Sequence, residues 1–371
     1  MYKAIALMVG TVIGAGVFGI PYVIQKAGFL NGIIDIILLG GAILLLNLYV
    51  GEISLRTKQK HELAGYAGKY LGKIGKKIMT ISMMIGIYGA LLAYLIGEGQ
   101  VLQNLFLNIF NLHLPTIFYS FVFFAVMVFL IHKGLKIIEK SELLLGGIMI
   151  FFILLIAGIA LFNLNIENFT FNFNPKNLFI PYGVIFFAFI GATAIPEMRE
   201  SLKRNKKKLK KAIIIGSLIP LVIYTLFTVA VIGKCGEGTT KIATLCLNMF
   251  FIGNIFAILA MATSFLALGL ALKWVFHYDH KLSSKVSTFV TCSVPLLLFV
   301  GLYLLNRLDF IQTIGITGAV AGGIDGILIV LIFNRVKKMG DRKPEYSIKS
   351  HKILNWILIV LFAFGIIYQF L

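Results

Sequence analysis

The sequence predicts an all-α polytopic membrane protein of eleven transmembrane helices, a 5+5 inverted repeat with helices one and six broken, plus one peripheral helix. Three observations predict it. First, 59% of the 371 residues are hydrophobic and only 13% are charged. Apolar runs long enough to cross about 30 Å of hydrocarbon recur along the chain, and its mean hydropathy is +0.95. Second, the basic residues gather on alternate loops. Third, two apolar runs are interrupted by Gly and Pro, and five spans separate the interruptions.

The spans read as 3–27, 31–55, 78–107, 116–131, 141–163, 179–198, 212–232, 246–271, 286–305, 312–333 and 353–371. With the N-terminus inside, the inner segments hold 29 of the 34 Lys and Arg, leaving Lys26, Lys176, Lys234, Lys241 and Arg307 outside. That partition predicts a cytoplasmic N-terminus and an external C-terminus. The net charge of +19 is then an orientation signal, with contact to anionic lipid heads as a by-product, and not a nucleic-acid footprint. The N-terminal run lacks a small-residue cleavage site and reads as a retained first span. The repeats divide as 1–163 and 164–335, with 336–371 adding an inner loop and the last span.

Span one contains GTVIGAGVFGIPYV, with Gly10, Gly14, Gly16 and Gly19 and then Pro21. A broken helix survives in hydrocarbon only where its freed backbone groups meet protein, water or a ligand. The run is thus either a mid-membrane break that holds a solute or a glycine-lined packing face. Span two ends with Glu52 four residues before Arg56, a helical ion-pair spacing. In the basic loop 56–77, Leu63, Tyr66, Ala67, Tyr70 and Leu71 form one apolar stripe, which predicts a helix lying on the inner membrane surface. Span three is long enough to tilt. Its small residues Gly86, Gly89, Ala90, Ala93 and Gly97 mark a packing face, and Tyr88, Tyr94 and Glu98 are its polar members. Spans four and five are plain.

Span six carries the second interruption, Gly191-Ala192-Thr193, followed by Pro196 and Glu197 and then by the basic run 203–211. Span eight has Thr263 and Ser264 at mid-helix. Span ten has Asp325 among Gly318, Gly322, Gly323 and Gly326, and the uncharged last span reads as peripheral. Both breaks begin with Gly-Ala and end with Ile-Pro, 177 residues apart. An odd number of intervening crossings inverts the second copy, as an inverted repeat requires. Cys235 and Cys246 flank an outer loop. Spacing leaves their pairing open, and isolated thiols are the favoured reading. No Cys/His cluster has metal-binding spacing, so no transition metal is expected.

GTVIGAGVFGIPYV, with FFAFIGATAIPEMRE in span six and ATSFLALGLAL in span eight, resembles the amino acid/auxin permease family and also the related aromatic amino acid permeases, and the resemblance places the chain on the amino acid/auxin permease side. The resemblance covers roughly 3–335 and implies the leucine-transporter fold of the amino acid–polyamine–organocation superfamily. It implies a substrate site where spans one and six unwind. Gly14, Ala15, Gly16 and Val17 would meet the substrate carboxylate through free N–H groups. Gly191, Ala192 and Thr193 would face its ammonium group, and Phe187 or Phe189 would close over the side chain. It further implies a sodium site on Gly10, Ile13, Ala260, Thr263 and Ser264. Against this stands back-bonding of the two hydroxyls within their own helix. No cofactor other than a possible bound Na+ is expected. Some proton-coupled relatives place a span-five lysine at this site; span five here has none.

Carboxylates inside a membrane are costly and functional by default, so Glu98, Glu197 and Asp325 are candidates for coupling or gating. The reading is a secondary transporter of a neutral, aromatic or otherwise hydrophobic amino acid in the plasma membrane, working by alternating access on a Na+ or H+ gradient. An exchanger or a transporter-fold sensor is the alternative. A channel fits less well because no rings of charge line a pore. All six His fall in loops or at interfaces, which disfavours a membrane-embedded enzyme. Oligomeric state is open.

Overall fold

Glycine and proline decide where the helices stop. In the computed structural model Gly14 is fully extended (φ −144°, ψ −157°), between the helix Tyr2–Val12 and the 3₁₀ turn Ala15–Phe18. Pro21 opens the next helix, Ile20–Ala27, where a missing N–H costs nothing, and the two parts of span one meet at 51°. Span six repeats the plan. The helix Tyr182–Phe189 ends at extended Ile190, a 3₁₀ turn covers Ala192–Ala194, and Pro196 lies in the first turn of Ile195–Ser201.

The structure describes all residues except 135, 136, 163, 203, 204, 248 and 280, and no side chains at 137–145, 250, 278 and 279. The proposed repeat boundary at 163 and the start of the basic run at 203 lie outside the described residues. The other spans are Phe29–Arg56, Leu63–Phe110, Thr116–Lys133, Ile137–Leu161, Leu209–Cys235, Phe250–Trp274, Ser284–Leu304, Phe310–Met339 and Lys352–Tyr368. With the two broken helices they make eleven. Within span ten, Gly318–Gly322 forms a π-helical turn.

The first half of span one packs against spans five and seven and the second half of span six. Spans three, four and eight form a second group, and span three also lies along span ten. The breaks are central, with Ala15, Val17, Phe18, Ala188 and Ile195 all buried. Span eleven covers span ten with Phe362, while Trp356, Ile357 and Val360 are exposed, as a peripheral helix requires. The chain turns at Gly72, whose φ of +80° suits glycine, and this separates the amphipathic stretch from span three. Leu63, Tyr66, Ala67 and Tyr70 are buried there.

The face that carries the N-terminus is the basic face. Its tie is Glu52, which is buried and accepts from Arg56 Nε at 2.7 Å, Lys337 Nζ at 2.6 Å and the Ile348 N–H at 2.6 Å. A pair expected from spacing alone is thus a hub that joins span two, span ten and the loop after it. Arg199 donates to the carbonyls of Thr57 and Lys58 at 3.0 and 3.2 Å, holding span six to the end of span two. On the far face, Cys235 and Cys246 form a disulfide, contrary to the favoured reading of isolated thiols. Turns at Gly236–Gly238 and Ala243–Cys246 fold the loop back and bring the Cα atoms to 6.1 Å, within bonding range.

Candidate substrate and coupling site

The two breaks touch. A Cβ on Gly16 would lie 2.6 Å from Ala188 Cα, so glycine alone allows span one to reach the end of the first half of span six. A Cβ on Gly191 would lie 2.7 Å from Val12 Cγ2 and 2.9 Å from Met8 Cε. The N–H groups of Ala15 and Gly16 begin a new helical turn and have no acceptor within it. Those of Ala192 and Thr193 stand likewise at the second break. Each break therefore sets free main-chain N–H donors of one half-helix beside the free carbonyls that end the other, and donors for a carboxylate with acceptors for an ammonium group suit a zwitterion.

Side chains complete the arrangement. Tyr224 of span seven is fully buried and donates its hydroxyl to the Val12 carbonyl at 2.7 Å. The Gly14 backbone lies beside the same hydroxyl, so one phenol sits across the first break. A Cβ on Gly14 would lie 3.2 Å from Ser264 Oγ, and Ser264 is in hydrogen-bonding reach of the Tyr94 hydroxyl. The Phe189 ring packs on Tyr224 with centroids 5.1 Å apart, whereas Phe187 abuts span ten at Gly318. Phe256 of span eight lies edge-on to Phe18 at 5.1 Å and stacks near Phe152 at 6.1 Å. Tyr224 and this Phe18–Phe256–Phe152 group are absent from the sequence reading; an aromatic residue in an apolar span gives no signal there.

The two sides of the breaks differ. Toward the far face, a Cβ on Gly19 would meet Ile314, Ile311 and Val184 at 2.6 to 3.1 Å, so this layer is sealed. Beyond it lies a cavity of about 330 Å³ lined by Tyr22, Lys26, Lys241, Asp309, Gln312 and Gln369, among others. Lys241 Nζ meets Asp309 Oδ2 there at 2.5 Å, and that bond raises the lysine above its ordinary range. Toward the basic face the packing is looser. Thr11 and Glu197 are exposed, and nothing lies within 4 Å of a Cβ placed on Gly10.

The two hydroxyls among the candidate ion ligands are held differently. Ser264 is at the break, but Thr263 Oγ1 donates to Leu259 O at 2.7 Å and Ala260 O at 3.2 Å of its own helix. Span eight packs on the turn Ala15–Phe18, and the open space beside Gly10 holds none of its atoms. Ile13, next to Gly14, is extended and lies outside the helical ladder. The donors are all oxygen, which suits a hard cation.

Of the candidate acids, Glu197 is exposed and does not belong among the buried ones, because the second half of span six emerges at the basic face. Its carboxylate lies near Glu62, which is held above the usual range first by desolvation and then by Glu197. Asp325 faces Ser82 of span three, and its Oδ1 has no partner among the described residues. Glu98 is fully buried. Asp35 in span two, which the sequence reading passed over, is also buried, with Oδ2 unpartnered. Its signal was present: an acid inside an apolar run.

Two touching broken helices within a helical scaffold define the leucine-transporter class of fold. The crystal structure of MhsT in complex with L-phenylalanine superposes with a TM-score of 0.74 over 100% of this chain and 98% of that one, at 16% identity. The inward facing conformation of Mhp1 gives a TM-score of 0.67 over 99% and 88%, at 13% identity. The model of the tryptophan/tyrosine permease family matches residues 1–370, and the chain belongs to that family. It is a family of transporters, not enzymes.

Similar proteins include glutamine transporter 2 of Aliivibrio fischeri, 24% identical over 86% of this chain and 85% of the relative. The tyrosine-specific transport system 1 of Haemophilus influenzae is 26% identical, over 72% and 70%. A tryptophan-specific transport protein of the same organism is 24% identical, over 97% and 92%. The family is thus the aromatic permease branch and not the amino acid/auxin permeases named first. The break motifs serve main-chain chemistry common to all amino acids, so they mark the architecture more than the family.

Proposed function

We propose that this protein moves an amino acid with an aromatic or other hydrophobic side chain across the plasma membrane by alternating access, coupled to a cation gradient. The observation that carries the proposal is the contact between the breaks, closed toward the far face and looser toward the basic face. The basic face is cytoplasmic in this reading, as the charge partition requires, and the conformation faces inward. The repeats 1–163 and 164–335 move against each other around the site, and 336–371 stays at the periphery.

Gly14, Ala15, Gly16 and Val17 take the carboxylate, and Gly191, Ala192 and Thr193 take the ammonium group. Phe189 and the Phe18–Phe256–Phe152 group surround the side chain, which suits tryptophan, tyrosine or phenylalanine. The relatives named for tryptophan and tyrosine support that preference; the glutamine transporter widens it to neutral side chains. The driving cation is Na+ on Gly10, Ile13, Ala260, Thr263 and Ser264, or a proton on a buried acid. Uptake of an amino acid panel into proteoliposomes, under separate Na+ and H+ gradients, tests the reading. Saturable accumulation of an aromatic amino acid under one gradient is the expected result. Flux that neither saturates nor follows either gradient overturns it.

A further inference from the structure

Span three carries a carboxyl group that nothing in the fold balances. Glu98 is fully buried, and neither of its carboxyl oxygens has a hydrogen-bond partner among the described residues. The antiparallel register of spans three and eight locates it. A Cβ on Gly97 would meet Met261 Sδ at 2.7 Å, and Asn254 Nδ2 donates to Asn104 Oδ1 at 2.9 Å. Closer to the breaks, Tyr94 reaches Ser264. Glu98 therefore sits one helical turn from Tyr94, at the level of the buried Ala257 and Ala260.

Among the described residues, the elements packed around that level offer it no charge. Span four presents Thr116 and Ser120 to Gly99, and Ser120 Oγ donates to Leu95 O at 2.9 Å. Tyr119 of span four turns its hydroxyl to Leu112 O. Span nine brings Phe299 and Tyr303 alongside Ile96 and Gln100. Span ten brings Phe310 onto Gly97, and the neighbouring Asp309 carboxylate holds Lys241 and the Gln312 N–H. A bare carboxylate without a partner is costly in such a place.

Between Glu98 and the substrate cradle stand two hydroxyls, Tyr94 and then Ser264, which touches Gly14. We propose that Glu98 is the proton carrier of coupled transport, linked to the site through Tyr94 and Ser264. Its O–H bond breaks to release a proton to water on the cytoplasmic side. The carboxylate regains a proton from water on the far side before the next cycle. The proposal rests on the transport reading above and assigns its driving ion.

The test uses the full chain in proteoliposomes with tritiated tryptophan, measuring accumulation under an imposed pH gradient and gradient-free counterflow. Glu98→Gln, which keeps the shape, is expected to lose about tenfold or more of the driven accumulation. Its counterflow stays within about twofold of the natural chain and no longer varies between about pH 5 and pH 8. Glu98→Asp restores part of the driven accumulation. Driven accumulation by Glu98→Gln equal to the natural chain overturns the proposal. So does loss of tryptophan binding by a folded Glu98→Gln protein, which would make the residue an ammonium ligand. If Glu98→Gln does not fold, Tyr94→Phe decides: the pH midpoint of uptake moves if the layer controls the carrier, and an unmoved midpoint overturns it. Failure of the natural chain in counterflow with every amino acid tried would sink the transport reading instead.

Discussion

The two breaks look alike in sequence but are held in different ways. The first is braced from outside: the Tyr224 hydroxyl donates to the Val12 carbonyl beside Gly14, and Ser264 lies against Gly14. The second has no such brace among the described residues. Gly191 rests on the side chains of Met8 and Val12, so its geometry depends on span one. The difference teaches that the first break is positioned by spans seven and eight, and Gly191 of the second by span one. Motion of the first half-helix should then carry the second break with it.

A pair of alanine substitutions breaks that comparison most sharply. Gly16→Ala drives a methyl group into the main chain at Ala188, which cannot yield, and should cost about 1–3 kcal/mol along with substrate binding. Gly191→Ala meets side chains that can shift, and should cost about 1 kcal/mol or less. Thermal melting in detergent and tryptophan binding measure both; equal losses would refute the asymmetry.

Next in size is Tyr224→Phe. It leaves the Val12 carbonyl without its buried donor, which costs about 1–3 kcal/mol. Binding should weaken about tenfold if Tyr224 presets the first break. Melting lowered with unchanged affinity would reduce Tyr224 to a packing residue.

The smallest effect is expected away from both breaks, at the basic face. Asp341 is held below its usual range by its bond to Lys69 and then by the Lys58 N–H. A depressed acid adds stability that is present above its unfolded value and lost as pH falls through the folded one. Asp341→Asn should remove that acid-side dependence and cost about 0.5 kcal/mol or less, since the pair is solvent-screened. Melting followed from neutral to acid pH checks the sign. A change in substrate binding would contradict the separation of this face from the breaks.

Much was legible beforehand because hydropathy, glycine and proline act locally. The breaks at Gly14 and Gly191, the starts at Pro21 and Pro196, and the peripheral last span follow from rules a single run of residues obeys. The disulfide did not, because two turns set the distance between Cys235 and Cys246. Nor did Tyr224, whose value lies in reaching a carbonyl more than two hundred positions away.

By itself, the sequence determined the solvent of the chain, its number of crossings and where two of them stop being helical. Each is a matter of local backbone and side-chain chemistry. Only the tertiary structure decided which groups meet those breaks and which acids lack a partner. Glu98, Glu197 and Asp325 are equivalent as letters in apolar runs. Packing leaves Glu98 enclosed without a donor among the described residues, sets Asp325 beside a serine that donates to Ala321 O, and puts Glu197 into the open. The fate of a charge depends on what surrounds it, and surroundings are assembled from distant parts of the chain.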